Sequence, residues 1–465
     1  MAKKSICNVD YKETVEDRNV SSFLDDEYRA FSNYVIRTRC CPSLVDGLKT
    51  GARKLLHAAF AGVLKDGHSH KMPALIGDCY TKTYYAHGNS SLEGTIMTMS
   101  AYFQDNLNAL TIDGQGGTLR APKSYAAPRY LFVKLSKYAR LIYGVDYDML
   151  EHVFDEGEYL EPVTYLPIIP TILASASEGM APGYKFNINV PYNPMTIIDA
   201  CLDVLNEKKK ITTLKPYVRG IKSDSFKFNT ETGRWVSYGA YDVDDKKCKL
   251  TVTDLPYGTT FDGFEGTLNK LQANGTIKSW HNLSTGSAIH YEVVYDKSLY
   301  STTSPAQKAN KLGLVYSIPN DIIYVMDENN KVKHFDSPLD LLSYFVSYRL
   351  SRYSDRKTKL VSVKEKQLLE NTNLCRFIDL VTSNKLKINN RPMVDIKKDL
   401  DKHYLPYELL KIQISKLTKE EKEEILKKNK ELEAELAYIK NTTTTQMYIN
   451  DLKELKKQIA SDFKE

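Results

Sequence analysis

The stretch SYAAPRYLFVKL, residues 124–135, sets a tyrosine directly after an arginine in a segment without a carboxylate. One tyrosine among 32 means little alone, so its surroundings decide what Tyr130 can do. Between Gln115 and Arg140 stand Arg120, Lys123, Arg129, Lys134, Lys137 and Arg140, with no Asp or Glu. A second cluster sets Arg37, Arg39, Lys49, Arg53 and Lys54 against the single acid Asp46, although the formal charge of the whole chain is only +6. Local basic density of this kind is how a phosphate backbone is met. One such cluster would read as a solvated face; two make nucleic acid the expected partner.

Other chemistries find less support. The seven cysteines are scattered and include no Cys-x-x-Cys pair, which argues against a disulfide framework or zinc site and for a reducing, intracellular compartment. His68 and His70 have no third ligand near them and read as part of an exposed loop. Asp113-Gly-Gln-Gly-Gly117 lacks the Gly-Lys-Ser/Thr of a phosphate-binding loop, and reads as a tight turn that lets the backbone approach something closely. Asp146-Tyr-Asp148 and Asp242-Val-Asp244 have Asp-x-Asp spacing but no acidic partner upstream, and read as loop acids. No apolar run is long enough to span a membrane, and the N-terminus lacks the apolar core of a signal peptide.

The elements that must position these residues are helical at first. Thr50 reads as the cap of a helix burying Leu55, Leu56, Ala59, Phe60 and Val63, with Arg53, Lys54 and His57 toward the other side. Ser90 and Glu93 have capping-box spacing before a helix that buries Leu92 and Ile96. Two short helices around a glycine-containing loop are compatible with a helix-turn-helix. Pro128 reads as the first residue of a helix with a stripe of Leu131, Leu135, Tyr138 and Ile142, which would put Tyr130 in the first turn, near the positive end of the helix dipole. KLTVTDLPY and AIHYEVVYDK alternate like half-buried strands of a mixed α/β region. Ser337-Pro338 opens a long helix whose Val346, Leu350, Tyr353 and Leu360 keep a four-three rhythm. A second arm, from the capping box Thr418-x-x-Glu421, carries Ile425, Leu432, Leu436 and Ile439 with Asn429 in the seam. Together they read as an antiparallel pair. The polar run 441–445 then breaks the helix before a last amphipathic segment with Leu452, Leu455 and Ile459.

Taken in order, several segments resemble the DNA cleavage subunit of type IIA topoisomerases, the gyrase A and topoisomerase IV A type. PSLVDGLKTGARKLL from Pro42, YAHGNSSLEGTI from Tyr85, DGQGG from Asp113, AAPRYLFVKLSKYARLIY from Ala126 and YLPIIPTILASASEGMAPGY from Tyr165 carry the likeness. SYRLSRYSDRK, RFIDLVTSNKL and ISKLTKEEKEEIL extend it, and several motifs resemble the eukaryotic enzymes. The resemblance implies an α+β multidomain chain: an N-terminal arm (1–27), a winged-helix DNA-gate domain (28–160), a mixed α/β tower domain (161–336), and an antiparallel coiled coil with a small helical C-gate for dimerisation (337–465).

It also implies site roles. Tyr130 matches the nucleophile, Arg129 its neighbour at the scissile phosphate, and His87 the histidine of the His-Gly motif. Tyr84-Tyr85-Ala86 precede His87 where many relatives carry another histidine. Arg39, Lys49, Arg53 and Lys54 match basic DNA contacts, with Ala52 replacing a larger polar residue; Ser90 and Lys123 are further DNA-binding candidates. Met180 matches the apolar wedge that bends the gate duplex. The Glu-Gly-Asp and Asp-x-Asp set of a Toprim domain, an ATPase domain and a β-pinwheel are not found in the sequence. The expected arrangement is therefore a homodimer of this chain on double-stranded DNA with a large subunit that binds Mg²⁺ and ATP. That layout resembles the split enzymes of phages, with a cytoplasmic location. The rival readings are an architectural DNA-binding protein and a tyrosine recombinase.

Overall fold

The computed structural model describes residues 19–463, apart from positions 245, 286–287, 298–304, 384, 389–390 and 412–418. α1 (Val20–Phe23) and α2 (Arg29–Val35) belong to one helical rod, joined by a π turn at Leu24–Tyr28 and continued by another at Ile36–Cys40. The expected boundary between an arm and the first domain at 27/28 therefore falls inside a helix. Residues 1–18 of that arm lie outside the described residues.

Three helices follow, α3 (Thr50–Ala61), α4 (Met72–Thr83) and α5 (Asn89–Ser100). A small antiparallel sheet lies beside them in the order β1 (His70–Lys71), β5 (Phe132–Leu135), β2 (Leu110–Asp113). A hairpin of β3 (Gly116–Thr118) and β4 (Ala121–Tyr125) makes the wing. Gly117, at φ +81°, has Pro122 O only 2.6 Å from where a Cβ would stand, so the close approach at the glycine loop is to the chain's own hairpin. Two caps differ from expectation. Lys49 rather than Thr50 is the residue before α3, and Gly88 rather than Ser90 precedes α5, with no side-chain cap at either.

The segment after Pro128 is not a long helix. Pro128–Tyr130 forms one 3₁₀ turn and Phe132–Leu135 is the central strand of the sheet. Leu131 and Val133 are buried while Phe132 is exposed, the alternation of a strand. Leu131 and Leu135 are four apart, a spacing that satisfies period 2 as well as period 3.6. Pairing with two strands and the β-forming residues Phe132 and Val133 decide between them. Tyr130 thus stands on a tight turn at a strand entrance, and the helix-dipole argument does not apply to it.

Hairpins β6 (His152–Asp155)/β7 (Glu158–Pro162) and β8 (Ser177–Ala181)/β9 (Tyr184–Ile188) and helix α6 (Pro194–Leu205) continue the same body. One core joins Leu55, Leu92, Val133 and Tyr143 to Tyr165, Phe186, Ile197 and Leu214. The Tyr143 and Tyr165 rings sit edge to face at 5.6 Å. The expected division at 160/161 therefore cuts through a core.

A second, separate core belongs to the tower. β12 (Ala240–Asp244), β13 (Lys249–Asp254), β15 (Tyr291–Tyr295) and β14 (Ile277–Asn282) form an antiparallel sheet under α7 (Phe261–Ala273), burying Leu250, Val252, Tyr291 and Val293 against Phe264 and Leu268. α8 (Pro305–Lys311) adds Ala309. Beside it lies the sheet β10 (Phe226–Asn229), β11 (Arg234–Tyr238), β16 (Val315–Ser317). Asp242 and Asp244 lie on a strand, β12, not in a loop. β17 (Ile323–Met326) and β18 (Val332–Phe335) return the chain to the first body, where Leu44 N donates to Met326 O at 2.8 Å.

α9 (Pro338–Thr382) starts as expected, with Ser337 Oγ accepting from Asp340 N at 3.2 Å and Pro338 first in the helix. It packs antiparallel on α11 (Lys419–Asn441): Lys357 donates to Lys440 O, Lys364 pairs with Glu435 and Asp379 with Lys422, so that positions rise on one arm as they fall on the other. The expected cap Thr418 lies outside the described residues. Val346 and Tyr353 are buried in the main core rather than in the seam of the pair. α10 (Met393–Lys402) contributes Leu400 to a small cluster with Phe377, Leu386, Leu405 and Leu409 at the far end. α12 (Thr444–Ile459), capped by Thr443, returns to the first body, with Tyr448, Leu452, Leu455 and Ile459 in its core. The last stretch assigned to a C-gate domain is thus part of the main body.

Candidate active site and nucleic-acid interface

Tyr130 ends the turn between the wing and β5. Its ring is 64% exposed, and the guanidinium carbon of Arg129, also exposed, lies 4.6 Å from the ring centroid. Arg129 and Pro128 line a cleft of about 450 Å³ with Pro73, Ile76, Tyr80, Asn89 and Glu93. One wall is α4 and the other is the start of α5, so tertiary packing sets the Arg-Tyr turn against the helix-turn-helix. The first turn of α5 has no acid and no side-chain cap, and its N–H groups favour an anion. Ser90 is exposed on that turn.

His87 lies two residues before α5 and is exposed. Tyr80 Oη donates to its carbonyl at 2.6 Å, Tyr85 meets its ring edge-on at 5.4 Å, and Tyr34 Oη stands 2.8 Å from Nε2. None of these tyrosines stands out as a site residue in the sequence. Tyr80 and Tyr85 are near enough in the chain to be suspected; Tyr34, 53 positions away, leaves no signal.

The basic clusters resolve differently in three dimensions. In the acid-free run, Arg120 pairs with Asp254 at 2.9 Å, Lys137 with Asp462 at 2.5 Å and Lys134 loosely with Asp113 at 3.8 Å. Arg140 donates to Lys65 O. Lys123 and Arg129 remain on the surface. In the other cluster, Arg37 and Arg39 are exposed, with the Arg39 guanidinium 5.6 Å over the Tyr34 ring.

Arg53, Lys54 and His57 do not face away from the core. Arg53 grips Asp46 with two hydrogen bonds, Nε to Oδ2 at 2.7 Å and Nη2 to Oδ1 at 3.0 Å. Asp46 is fully buried and also accepts from Leu48 N and Tyr165 N. Lys54 Nζ lies 2.7 Å from the buried Glu161 and donates to Thr83 O. His57 is buried beside His152 and Tyr147, and burial pulls its pKa down to about 4. The Asp-Gly of PSLVDG is structural in the same way. Gly47, at φ +69°, leaves no room for a Cβ, which would lie 2.5 Å from Thr171 Oγ1.

Lys49 Nζ donates to Glu178 O at 2.6 Å and so braces β8, the strand that presents Met180. Burial lowers the Lys49 pKa. Gly179 packs so tightly on Cys40 O that a Cβ would stand 2.2 Å from it. Met180 itself is 74% exposed and belongs to no core.

Among the described residues no group of three His, Cys, Asp or Glu is placed to hold a metal ion. Asp146 is instead an ion-pair hub, meeting Arg349 at 2.7 Å and Arg356 at 2.7 Å. No disulfide forms among the six described cysteines, and no described helix is long and apolar enough to cross a membrane.

A winged helix-turn-helix with an exposed Arg-Tyr turn, a tower and an antiparallel arm define the class as a type IIA topoisomerase cleavage core. The solved DNA-binding, cleavage and re-ligation domain of Plasmodium falciparum topoisomerase II superposes with a TM-score of 0.85 at 26% identity, over 94% of this chain and 64% of that one. The chain belongs to the DNA gyrase/topoisomerase IV A-subunit family, which matches residues 39–455. Among curated relatives, the mitochondrial DNA topoisomerase 2 of Dictyostelium discoideum is 28% identical over 97% of this chain and 36% of its own length. The DNA topoisomerase 2 of Invertebrate iridescent virus 6 is 27% identical over 94% of this chain and 39% of its own. The chain spans little more than a third of the length of these relatives.

Proposed function

We propose that this chain carries the DNA breakage and reunion step of an ATP-dependent type IIA topoisomerase, with Tyr130 as the nucleophile. The observation that carries this reading is the exposed Arg129–Tyr130 turn set against the helix-turn-helix in a chain of this family. The Tyr130 oxygen attacks a backbone phosphorus. The new O–P bond forms as the bond to the 3′ oxygen breaks, leaving a 5′-phosphotyrosine and a 3′-hydroxyl. The phenol gives up its proton and the departing 3′ oxygen gains one. The ester preserves the phosphodiester bond energy, so attack by the 3′-hydroxyl reseals the strand without an energy source.

Arg129 supplies a permanent charge beside the phosphorane, and His87 donates a hydrogen bond to a phosphate oxygen. Arg39, Lys123, Ser90 and the first turn of α5 meet the duplex backbone. Met180 enters the base stack, trading a few kcal/mol of unstacking for wrapped surface. Lys49, Arg53 and Lys54 serve from behind, holding α3 and the β8 hairpin in place.

The described residues do not fit a metal ion, so no step here runs through one. Mg²⁺ in a Toprim domain and ATP in an ATPase domain belong in this reading to a large partner subunit. Two copies of this chain, related by a twofold axis, place one Tyr130 on each strand. A second duplex passes through the gap, which gives relaxation and decatenation in the cytoplasm.

The test is covalent-adduct trapping with the assembled enzyme. Tyr130→Phe should form no adduct while still binding duplex DNA, and the wild-type bond should carry the 5′ end. Adducts at wild-type level in the variant would sink the reading. A 3′ linkage would indicate a recombinase, and wild-type binding with no adduct at all an architectural protein.

A further inference from the structure

His87 is held at three points by tyrosines from two separate parts of the chain, and one of them occupies a ring nitrogen. Tyr80 fixes the backbone through the His87 carbonyl at 2.6 Å. Tyr85 packs edge-on against the imidazole and anchors itself by donating to Ser91 Oγ at 3.0 Å. Tyr34 comes from α2, and its Oη lies 2.8 Å from His87 Nε2. The side chain of Tyr34 is in turn covered by Arg39.

We propose that Tyr34 is a positioning residue that occupies Nε2 of His87, leaving Nδ1–H as the donor presented to the scissile phosphate. This inference rests on the reading of the site given above. An imidazole has two ring nitrogens pointing in different directions, and one held by a phenol is not open to a phosphate. Two neutral tautomers fit this contact; in the one proposed, Tyr34 donates to Nε2 and the proton sits on Nδ1. In the charged ring, Nε2–H donates to Tyr34 and Nδ1–H is again left over. The donor offered to DNA is therefore the same in both protonation states, and the phenol also opposes a flip of the ring. A donor on an exposed side chain helps only if its geometry is held near the productive one.

Amide side chains separate the two nitrogens. Asparagine places its NH₂ near the position of Nδ1, whereas glutamine reaches the position of Nε2. In single-turnover cleavage by the assembled enzyme, His87→Asn should stay within about tenfold of wild type, while His87→Gln and His87→Ala fall about 10²-fold or more. Tyr34→Phe, which keeps the ring under Arg39, should lower the cleavage rate about tenfold with duplex affinity and unfolding midpoint unchanged. In the His87→Asn background, Tyr34→Phe should add nothing, because no Nε2 remains to be held.

Glutamine outperforming asparagine would overturn the inference, as would a silent Tyr34→Phe in an enzyme that His87→Ala impairs. His87→Ala cleaving at the wild-type rate is a different failure: it removes His87 from the chemistry and overturns the site reading itself.

Discussion

The guanidinium carbon of Arg129 lies 4.6 Å from the centroid of the Tyr130 ring, so the nucleophile candidate and its cation are already neighbours before DNA arrives. Both project from a 3₁₀ turn pinned by Tyr130 N donating to Ala127 O and by the strand that follows. Arg129→Lys keeps the charge but loses the planar fork that can meet two phosphate oxygens. The expected loss is about 10²-fold or more in cleavage rate with little change in duplex affinity. Equal losses in rate and affinity would make Arg129 an anchor only, which the two measurements together decide.

Asp46 and Arg53 make a prediction about stability rather than DNA. Removing the guanidinium strands a fully buried carboxylate, for which the usual cost is about 3–5 kcal/mol. Arg53→Ala should therefore shift the denaturant midpoint strongly. A variant of normal stability that merely binds DNA less well would show Arg53 to be a phosphate contact.

Burial of His57 predicts a pH dependence. Its folded pKa, pulled down to about 4, lies below the ordinary value near 6.5. The unfolded chain then binds the proton more readily, so stability is full above about pH 6.5 and falls as the pH drops toward 4. The facing groups are His152, Tyr147, Glu161, Lys54 and Lys82, and Glu161 opposes the shift. The loss amounts to at most about 3 kcal/mol. Denaturation midpoints across that range should flatten in His57→Gln; an unchanged slope would place the titration elsewhere.

Met180 stands exposed on a hairpin braced by Lys49 and Cys40. Met180→Ala should reduce the bend of a gate duplex, read by fluorescence transfer between its ends, and lower cleavage with it. Met180→Ile should retain both, since the wedge needs apolar volume rather than a thioether. A full bend with alanine would remove Met180 from that role.

Much of the architecture was legible in the sequence because periodic burial writes itself into residue order. α3, α5 and the tower strands β13 and β15 follow from apolar spacing, the start of α9 from its Ser337-Pro338 cap, and the break before α12 from a polar run. The segment after Pro128 was not legible in this way. Leu131 and Leu135 fit helix and strand alike, and pairing with β1 and β2, elsewhere in the chain, together with the β-forming Phe132 and Val133, selected the strand.

SYAAPRYLFVKL by itself determined that Arg129 and Tyr130 are adjacent and lie in a basic, acid-free stretch, since neighbours along the chain need no folding to meet. The motifs around it marked the family. What the sequence could not determine is which charges stay available, because many of the salt bridges join residues more than a hundred positions apart. Lys137 finds Asp462 and Arg120 finds Asp254. Arg53 and Lys54 are taken into the interior, where an unpaired charge is costly, and each is paired there, with Asp46 and Glu161. Tertiary structure alone decided that Tyr130 stands on a strand entrance, and that Tyr34 reaches His87.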